Sequence, residues 1–234
     1  MIESLLASLQ ALKATPEFAV GLTLVAFQVA LLFYRKSKIV LLQPVIVAVT
    51  MVIMVLLLLD VPYSDYQVAA EPVAFLIGPA TIALAVPLYS QLRRIRQLFG
   101  PILITLLCGG SLTVILSVLF CWLLGGSEML QMSLAPRSVT MPIAILVSDS
   151  LGGSMSLTAA FVMITGVFGA ALAPWLLKLA RVTEPAARGL SYGINAHAIG
   201  TVRALEESEE CGAFSALGMS LFGVSLALLL PLLL

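Results

Sequence analysis

Ser-Tyr-Gly-Ile-Asn-Ala-His-Ala-Ile-Gly-Thr-Val-Arg-Ala-Leu-Glu-Glu occupies residues 191–207 and lies between two long apolar segments. It holds the chain's single histidine, His197, with Asn195, Thr201, Arg203 and Glu206. Gly193 and Gly200 flank the histidine. Polar and ionisable groups near membrane depth are costly and by default mark a functional site. Glycines beside them suggest an interrupted helix that opens backbone N–H and C=O groups to a ligand or a cavity. The competing reading is a short amphipathic surface helix, with Arg203 and Glu207 as an i, i+4 pair.

Composition places the stretch in context. The chain has 234 residues, 61% hydrophobic and 10% charged, with a mean hydropathy of +1.12. Soluble domains carry roughly 25% charged residues, so this is an integral membrane protein whose first partner is the lipid bilayer. Twelve basic and twelve acidic residues cancel, and aromatics are only 7%. Neither a basic field nor a stacking platform is there for nucleic acid. Cys108, Cys121 and Cys211 lie in apolar runs without paired spacing and read as small buried hydrophobes. With one histidine and no Cys-x-x-Cys or His-Glu-x-x-His, no metal or cofactor is expected.

Taken in order, residues 1–13 place Ile2, Leu5, Leu6, Leu9 and Leu12 at helical spacing, which predicts an interfacial amphipathic helix. A single transmembrane domain follows over 14–234. Its expected spans are Phe18–Tyr34, Ile39–Leu59, Pro72–Gln91, Gly100–Leu124, Met155–Leu177 and Cys211–Leu234. Gly125–Ser133 reads as a loop. Residues 133–151 are too short, polar and proline-rich for an ordinary span. Clustered Lys and Arg stay on the cytoplasmic side. Arg35, Lys36 and Lys38, and then Arg93, Arg94 and Arg96, therefore put the N-terminus outside. If 133–151 dips in and returns, Lys178, Arg181 and Arg188 also fall inside, and 189–205 dips in from the inner face. If 133–151 crosses fully, the chain has eight spans. The expected fold is all-α and polytopic, with about six full spans and two or three broken or re-entrant segments.

Three apolar segments are interrupted: Gly78–Pro87, Pro136–Pro142 and Gly193–Thr201. Gly/Pro-interrupted segments in matching positions point to a transporter binding site. Leu84-Ala85-Val86-Pro87-Leu88 faintly echoes Val139-Thr140-Met141-Pro142-Ile143, as an inverted repeat would. Half-helix N-termini favour an anion, and Ser138, Thr140, Asn195 and Thr201 add donors. Ser138 and Thr140 could instead satisfy carbonyls freed by Pro142. Arg137 reads as an interfacial anchor, and Glu206–Glu210 as a solvated helix face. An unperturbed His197 would titrate near ~6.5 and could couple transport to protons, with sodium the other candidate ion.

Ser138-Val139-Thr140-Met141-Pro142-Ile143-Ala144 resembles the Ser-Val-Thr-x-Pro-Ile-Ala signature of the LrgB/CidB/YohK family. His197-Ala198-Ile199-Gly200-Thr201-Val202-Arg203-Ala204 resembles that family's His-x-Ile-Gly-Thr-x-Arg/Lys-Ala segment. Gly212-Ala213-Phe214-Ser215 and the run from Gly78, Pro79 and Thr81 to Pro87, Leu88 and Tyr89 also fit. The resemblance extends from about residue 17 to the C-terminus. Val202 and Ala196 depart from it, where smaller and Ser residues are frequent.

The resemblance implies a multi-pass protein of the bacterial cytoplasmic (inner) membrane. It implies one of two activities. Some members are described as holin- or antiholin-like, acting with a small LrgA/CidA-type membrane partner on murein hydrolase activity and autolysis. A plastid relative is a glycolate/glycerate translocator, and some bacterial members are linked to pyruvate uptake. The residues favour transport of a small monocarboxylate. Expected substrate-binding residues are Ser138, Thr140, Asn195, His197, Gly200, Thr201 and Arg203. Gly78, Pro79, Thr81, Pro87, Pro142 and Gly193 are expected to support the broken helices. Glycine-rich faces on the last two spans suggest a homodimer. No second histidine, intramembrane aspartate pair or Gly-x-Ser-x-Gly is present, so no enzyme is expected.

Overall fold

The computed structural model describes residues 15–37 and 44–233, without the side chains of residues 37, 77, 81 and 233. The expected amphipathic helix at 1–13 lies outside the described residues, as does the start of the second expected span. Every regular element among the described residues is helical. The chain divides into two compact units, one ending at Ala83 and one beginning at Leu84.

The first unit holds α1 (Pro16–Ser37), α2 (Pro44–Leu58), α3 (Tyr63–Ala69), α4 (Glu71–Phe75) and α5 (Ile77–Ala83). Pro16 and Pro44 start their helices, where a missing N–H is not needed. Ala19, Ala26 and Ala30 are buried on one face of α1, and small side chains there let neighbouring helices come close. Thr23 Oγ1 and Tyr66 OH share a hydrogen bond of 2.7 Å between α1 and α3.

The second unit holds α6 (Ala85–Ser90), α7 (Leu92–Gln97), α8 (Phe99–Ile104), a π-helical turn (Thr105–Gly110) and α9 (Ser111–Leu123). It continues through α10 (Glu128–Leu134), α11 (Met141–Ser150), α12 (Met155–Leu179), α13 (Pro185–Glu207) and α14 (Glu209–Leu233). Phe99–Leu123, Met155–Leu179 and Glu209–Leu232 are each long and apolar enough to cross a membrane. So are Pro16–Lys36 and the run Glu71–Ser90. Within that last run the expected single span is a chain of short helices, with Leu76 and Leu84 as one-residue breaks. The expected loop at Gly125–Ser133 contains α10, which Ser127 caps by accepting from the Leu130 N–H at 3.3 Å.

Ion pairs fix the direction of each crossing in this unit. Arg94, just after α6, bonds Glu184 at 2.6 Å and lies 3.5 Å from Glu210. Ser90 donates to Glu209 at 2.7 Å. The start of α8, the end of α12 and the start of α14 therefore share one membrane face. The 25-residue crossings Phe99–Leu123 and Met155–Leu179 then put Leu123 and Met155 on the opposite face. Residues 124–154 leave and return on that face, so they are re-entrant and the eight-span alternative falls.

The second re-entrant element is α13. Over nineteen residues a straight helix advances roughly 28 Å. Yet Arg188 donates to Glu207 through Nε at 2.8 Å and through Nη2 at 2.9 Å. Tyr192 OH reaches the same carboxylate at 2.6 Å. The helix must therefore fold back on itself, and it does so at His197, whose φ of 39° and ψ of −132° are non-helical. Residues 185–196 and 198–207 are the arms of a helical hairpin latched at its base. In the competing reading Arg203 paired with Glu207; here Arg203 bonds Glu206 at 2.6 Å, and Glu207 is held by Arg188. Glu207 is thus part of a partly buried latch and not of a solvated face.

α14 packs along this hairpin. A Cβ on Gly189 would overlap the Cys211 carbonyl, and one on Gly193 would overlap the Ser215 carbonyl. The two glycines, one turn apart, let two backbones touch. Ile102, Leu106, Val162, Leu190, Phe214 and Phe222 form the continuous core between the helices. Phe120, Trp122, Phe168 and Trp175 remain exposed, as a lipid-facing surface requires.

Two outcomes follow from this packing. Gly193→Ala should lower stability by about 1–3 kcal/mol or more, because a backbone carbonyl cannot yield as a side chain can. Gly100→Ala, with nothing within 4 Å of the added carbon, should change it little. Unfolding temperatures of the two purified variants check this. The latch gives a pH signature. Burial alone would raise the Glu207 carboxyl, but its hydrogen bonds from Arg188 and Tyr192 outweigh this and hold it below the usual value. Its stabilisation is present above the ordinary carboxylate pKa near ~4.3 and is lost as pH falls through the depressed folded value. Glu207→Gln should therefore cost about 2–3 kcal/mol near neutrality. The difference from the parent should begin to shrink as pH falls below about 4.3 and vanish only once pH is below the depressed folded value, as unfolding at a series of pH values would show.

Candidate functional site

His197 is the tip of the second hairpin. A positive φ in a residue other than glycine is strained and persists only where neighbours over-determine it. Here the ring is 4% exposed, and its Nε2 lies 3.0 Å from the Val162 carbonyl of α12. A carbonyl only accepts, so Nε2 carries the proton and Nδ1 is left as the free ring nitrogen. Gly166 makes room for the ring: a Cβ there would stand 2.5 Å from Cε1 and 2.7 Å from Nε2. Gly169 does the same for Ala196. Behind the tip, Thr201 Oγ1 donates to the His197 carbonyl at 3.0 Å and pairs with Ser215 Oγ at 2.9 Å. Thr201 is 2% exposed and braces the tip from within the protein.

The break was expected anywhere between Gly193 and Thr201, and it falls on the histidine. Gly193 and Gly200 sit in the helical arms instead. Gly193 meets α14. Gly200 meets the other arm, where a Cβ would be 2.6 Å from the Tyr192 carbonyl oxygen. Their role is close approach, not unwinding.

The first hairpin has α10 and the turns at 135–140 as one arm and α11 as the other. Its base closes where the Ser154 N–H donates to Ser133 Oγ at 2.7 Å. Pro142 occupies the first turn of α11 and frees no carbonyl, so Ser138 and Thr140 do not serve that purpose. Thr140 is the N-cap residue, extended at φ −63° and ψ 146°, but its side chain makes no capping bond. Ser138 is 1% exposed and its Oγ has no hydrogen-bond partner. Arg137 is not an interfacial anchor. Its Nε donates to Ser117 of α9 at 2.7 Å and its Nη1 to Thr165 of α12 at 3.1 Å, which holds the guanidinium between two crossings.

The two tips converge on the same pair of helices from opposite faces. On α9, Thr113 donates to Asn195 Oδ1 at 3.2 Å, and Ser117, one turn further, holds Arg137. On α12, Val162 and Gly166 hold His197, while Thr165 between them holds Arg137. Ser138, Thr140, Asn195 and His197 are thus gathered at the two tips, with Gly200 and Thr201 as their support. Arg203 is not: it lies six residues beyond the tip, roughly 9 Å along its arm, paired with Glu206. Gly78, Pro79 and Thr81 lie on α5 in the first unit, and Pro87 lies on α6. Arg137, which the sequence reading took as an interfacial anchor, and Thr113, Ser117 and Thr165, which it did not single out, meet at these tips. Their signal was present as one cation and three hydroxyls at or beside apolar spans. Among the described residues no three His, Cys, Asp or Glu side chains cluster as metal ligands would.

Comparison with known proteins places this arrangement. No solved structure matches the chain. A protein of Bacillus subtilis named YxaC is 34% identical over 87% of this chain and 88% of its own. Proteins of Staphylococcus epidermidis and Staphylococcus aureus, both named holin-like protein CidB, are each 34% identical over 91% of this chain and 93% of their own. The model of the LrgB-like family matches residues 23–234, which takes in both hairpins and every crossing of the second unit. On that match and these relatives, the chain belongs to the LrgB-like family of multi-pass bacterial membrane proteins.

Proposed function

We propose that the protein is a secondary transporter of a small monocarboxylate, which it holds between the two hairpin tips. One observation carries this reading: two half-crossing hairpins enter from opposite faces and end between the same two helices. Broken helices meeting at depth expose helix ends and polar side chains to a substrate without exposing backbone to lipid. The groups gathered there suit a small anion with polar substituents. They are a guanidinium, the hydroxyls of Thr113, Ser117, Ser138, Thr140 and Thr165, a carboxamide and one free imidazole nitrogen. His197 Nδ1 is the group through which protons would couple, and sodium remains the other candidate ion. Glycolate, glycerate and pyruvate are of the right charge and size.

The second reading is a holin- or antiholin-like protein that acts with a small membrane partner of the LrgA/CidA type on murein hydrolase activity. It draws on the names of the staphylococcal relatives. The two readings separate in proteoliposomes containing this chain alone. The transporter reading expects saturable uptake of labelled glycolate, glycerate or pyruvate that responds to an inward pH gradient. Replacing His197 and Thr140 together by Ala should cut that uptake about tenfold or more, the loss of one good hydrogen bond or better. Uptake unchanged in that double variant would remove the site. Unsaturable leak of unrelated solutes of similar size would instead favour the holin-like reading.

A further inference from the structure

Arg137 is electrically unfinished. A guanidinium has five N–H donors. Only Nε and one Nη1 hydrogen are used, and both bond to neutral hydroxyls. The ion pairs found among the described residues involve Arg94, Arg188 and Arg203, never Arg137. The fork formed by the rest of Nη1 and all of Nη2 has no acceptor among the described residues. A cation half-buried between two membrane crossings is costly unless an anion compensates it.

Two further features lie next to it in the chain. Ser138 Oγ is buried without a partner, and a buried hydroxyl left so is destabilising. Four residues beyond Arg137 the ten-residue helix α11 begins. Its N-cap side chain makes no bond, so the N–H groups of Met141 and Ile143 in its first turn are open as well. They carry the partial positive charge of a helix N-terminus. A cation, a hydroxyl donor and open N–H groups within seven residues all lack the same thing, a negatively charged acceptor.

We propose that Arg137, Ser138 Oγ and the first turn of α11 form the subsite that binds the carboxylate group of the transported anion. The assignment rests on the transporter reading above and adds to it the group that carries charge recognition. A single guanidinium matches a single negative charge, and its planar fork takes the two oxygens of a carboxylate side by side. A monovalent carboxylate therefore fits, and a divalent anion leaves a charge uncompensated. His197 and Asn195, on the facing tip, are left for the remainder of the molecule.

The test is binding to the purified full chain in detergent, with glycolate as probe and neutral glycolamide and divalent succinate as controls. Ligand-induced shift of the unfolding temperature gives the readout, and calorimetry the Kd. The parent should bind glycolate and neither control. Arg137→Gln should weaken glycolate by about 10- to 100-fold, the range for a hydrogen bond to a charged group. Arg137→Lys should recover part of that loss, which a merely structural strut between α9 and α12 would not predict. Ser138→Ala should weaken binding about 3- to 10-fold. Parent-like glycolate affinity in Arg137→Gln overturns the subsite while leaving the transporter reading intact. Should neither Arg137 variant fold, unchanged affinity in Ser138→Ala overturns it. Succinate binding more tightly than glycolate also overturns it. A parent chain that binds neither glycolate nor pyruvate overturns the transporter reading itself, and the subsite with it.

Discussion

Hydrocarbon offers no partner to an open backbone N–H or C=O, so a helix can stop at membrane depth only where protein closes around the stop. The break at His197 depends on that enclosure. α12 supplies the Val162 carbonyl for the ring and two glycines that let the tip sit against it. α14 supplies Ser215 for Thr201 and a backbone that Gly189 and Gly193 allow to come within contact. The bidentate Arg188–Glu207 pair, with Tyr192, closes the base, where the arms would otherwise part. Each of these contacts would be lost in a straight helix. The crowding of small residues over 189–200 is the cost in side-chain packing of holding one strained residue at depth.

Much of this could be read in advance. Hydropathy located five of the six expected crossings, because a lipid-facing helix must be apolar over about twenty residues; among the described residues the second expected span is the shorter helix Pro44–Leu58. The positive-inside rule preferred 93–96 and 178–188 on one face with 133–151 re-entrant but left a full crossing open, and the Arg94–Glu184 bond is what joins the two stretches. The break itself was less legible. Glycine permits an irregular backbone and also permits close packing, and sequence does not say which. Gly193 and Gly200 were read in the first sense and serve in the second. Arg137 was misjudged for a related reason. Next to prolines in a short polar run it looks superficial; its depth comes from the antiparallel course of 124–137 along α9, which is tertiary. Thr113 and Ser117 bond carbonyls one turn back, as solitary hydroxyls in apolar helices do, and only the second partners, Asn195 and Arg137, set them apart.

The functional argument therefore turns on geometry more than on motif. The Ser-Val-Thr-x-Pro and His-x-Ile-Gly-Thr segments lie far apart in the chain, and the fold sets them on neighbouring turns of α9 and α12. A site built from opposite faces can be closed from either one, which is the arrangement a carrier needs and a simple leak does not. In the proposed carrier the single histidine and Arg137 would divide the work. One would offer a ring nitrogen, and the other a permanent charge.

The account stands on residues 185–207 being a hairpin. Spin labels at the exposed positions Ala187 and Glu206, in a chain with Cys108, Cys121 and Cys211 replaced by Ser, measure this directly by dipolar spectroscopy in lipid. A hairpin folded at His197 brings the two backbones together at its base, and the account predicts a single narrow distribution below roughly 20 Å. A continuous helix separates them by roughly 28 Å along its axis. A distribution centred there would contradict the hairpin and the site built upon it.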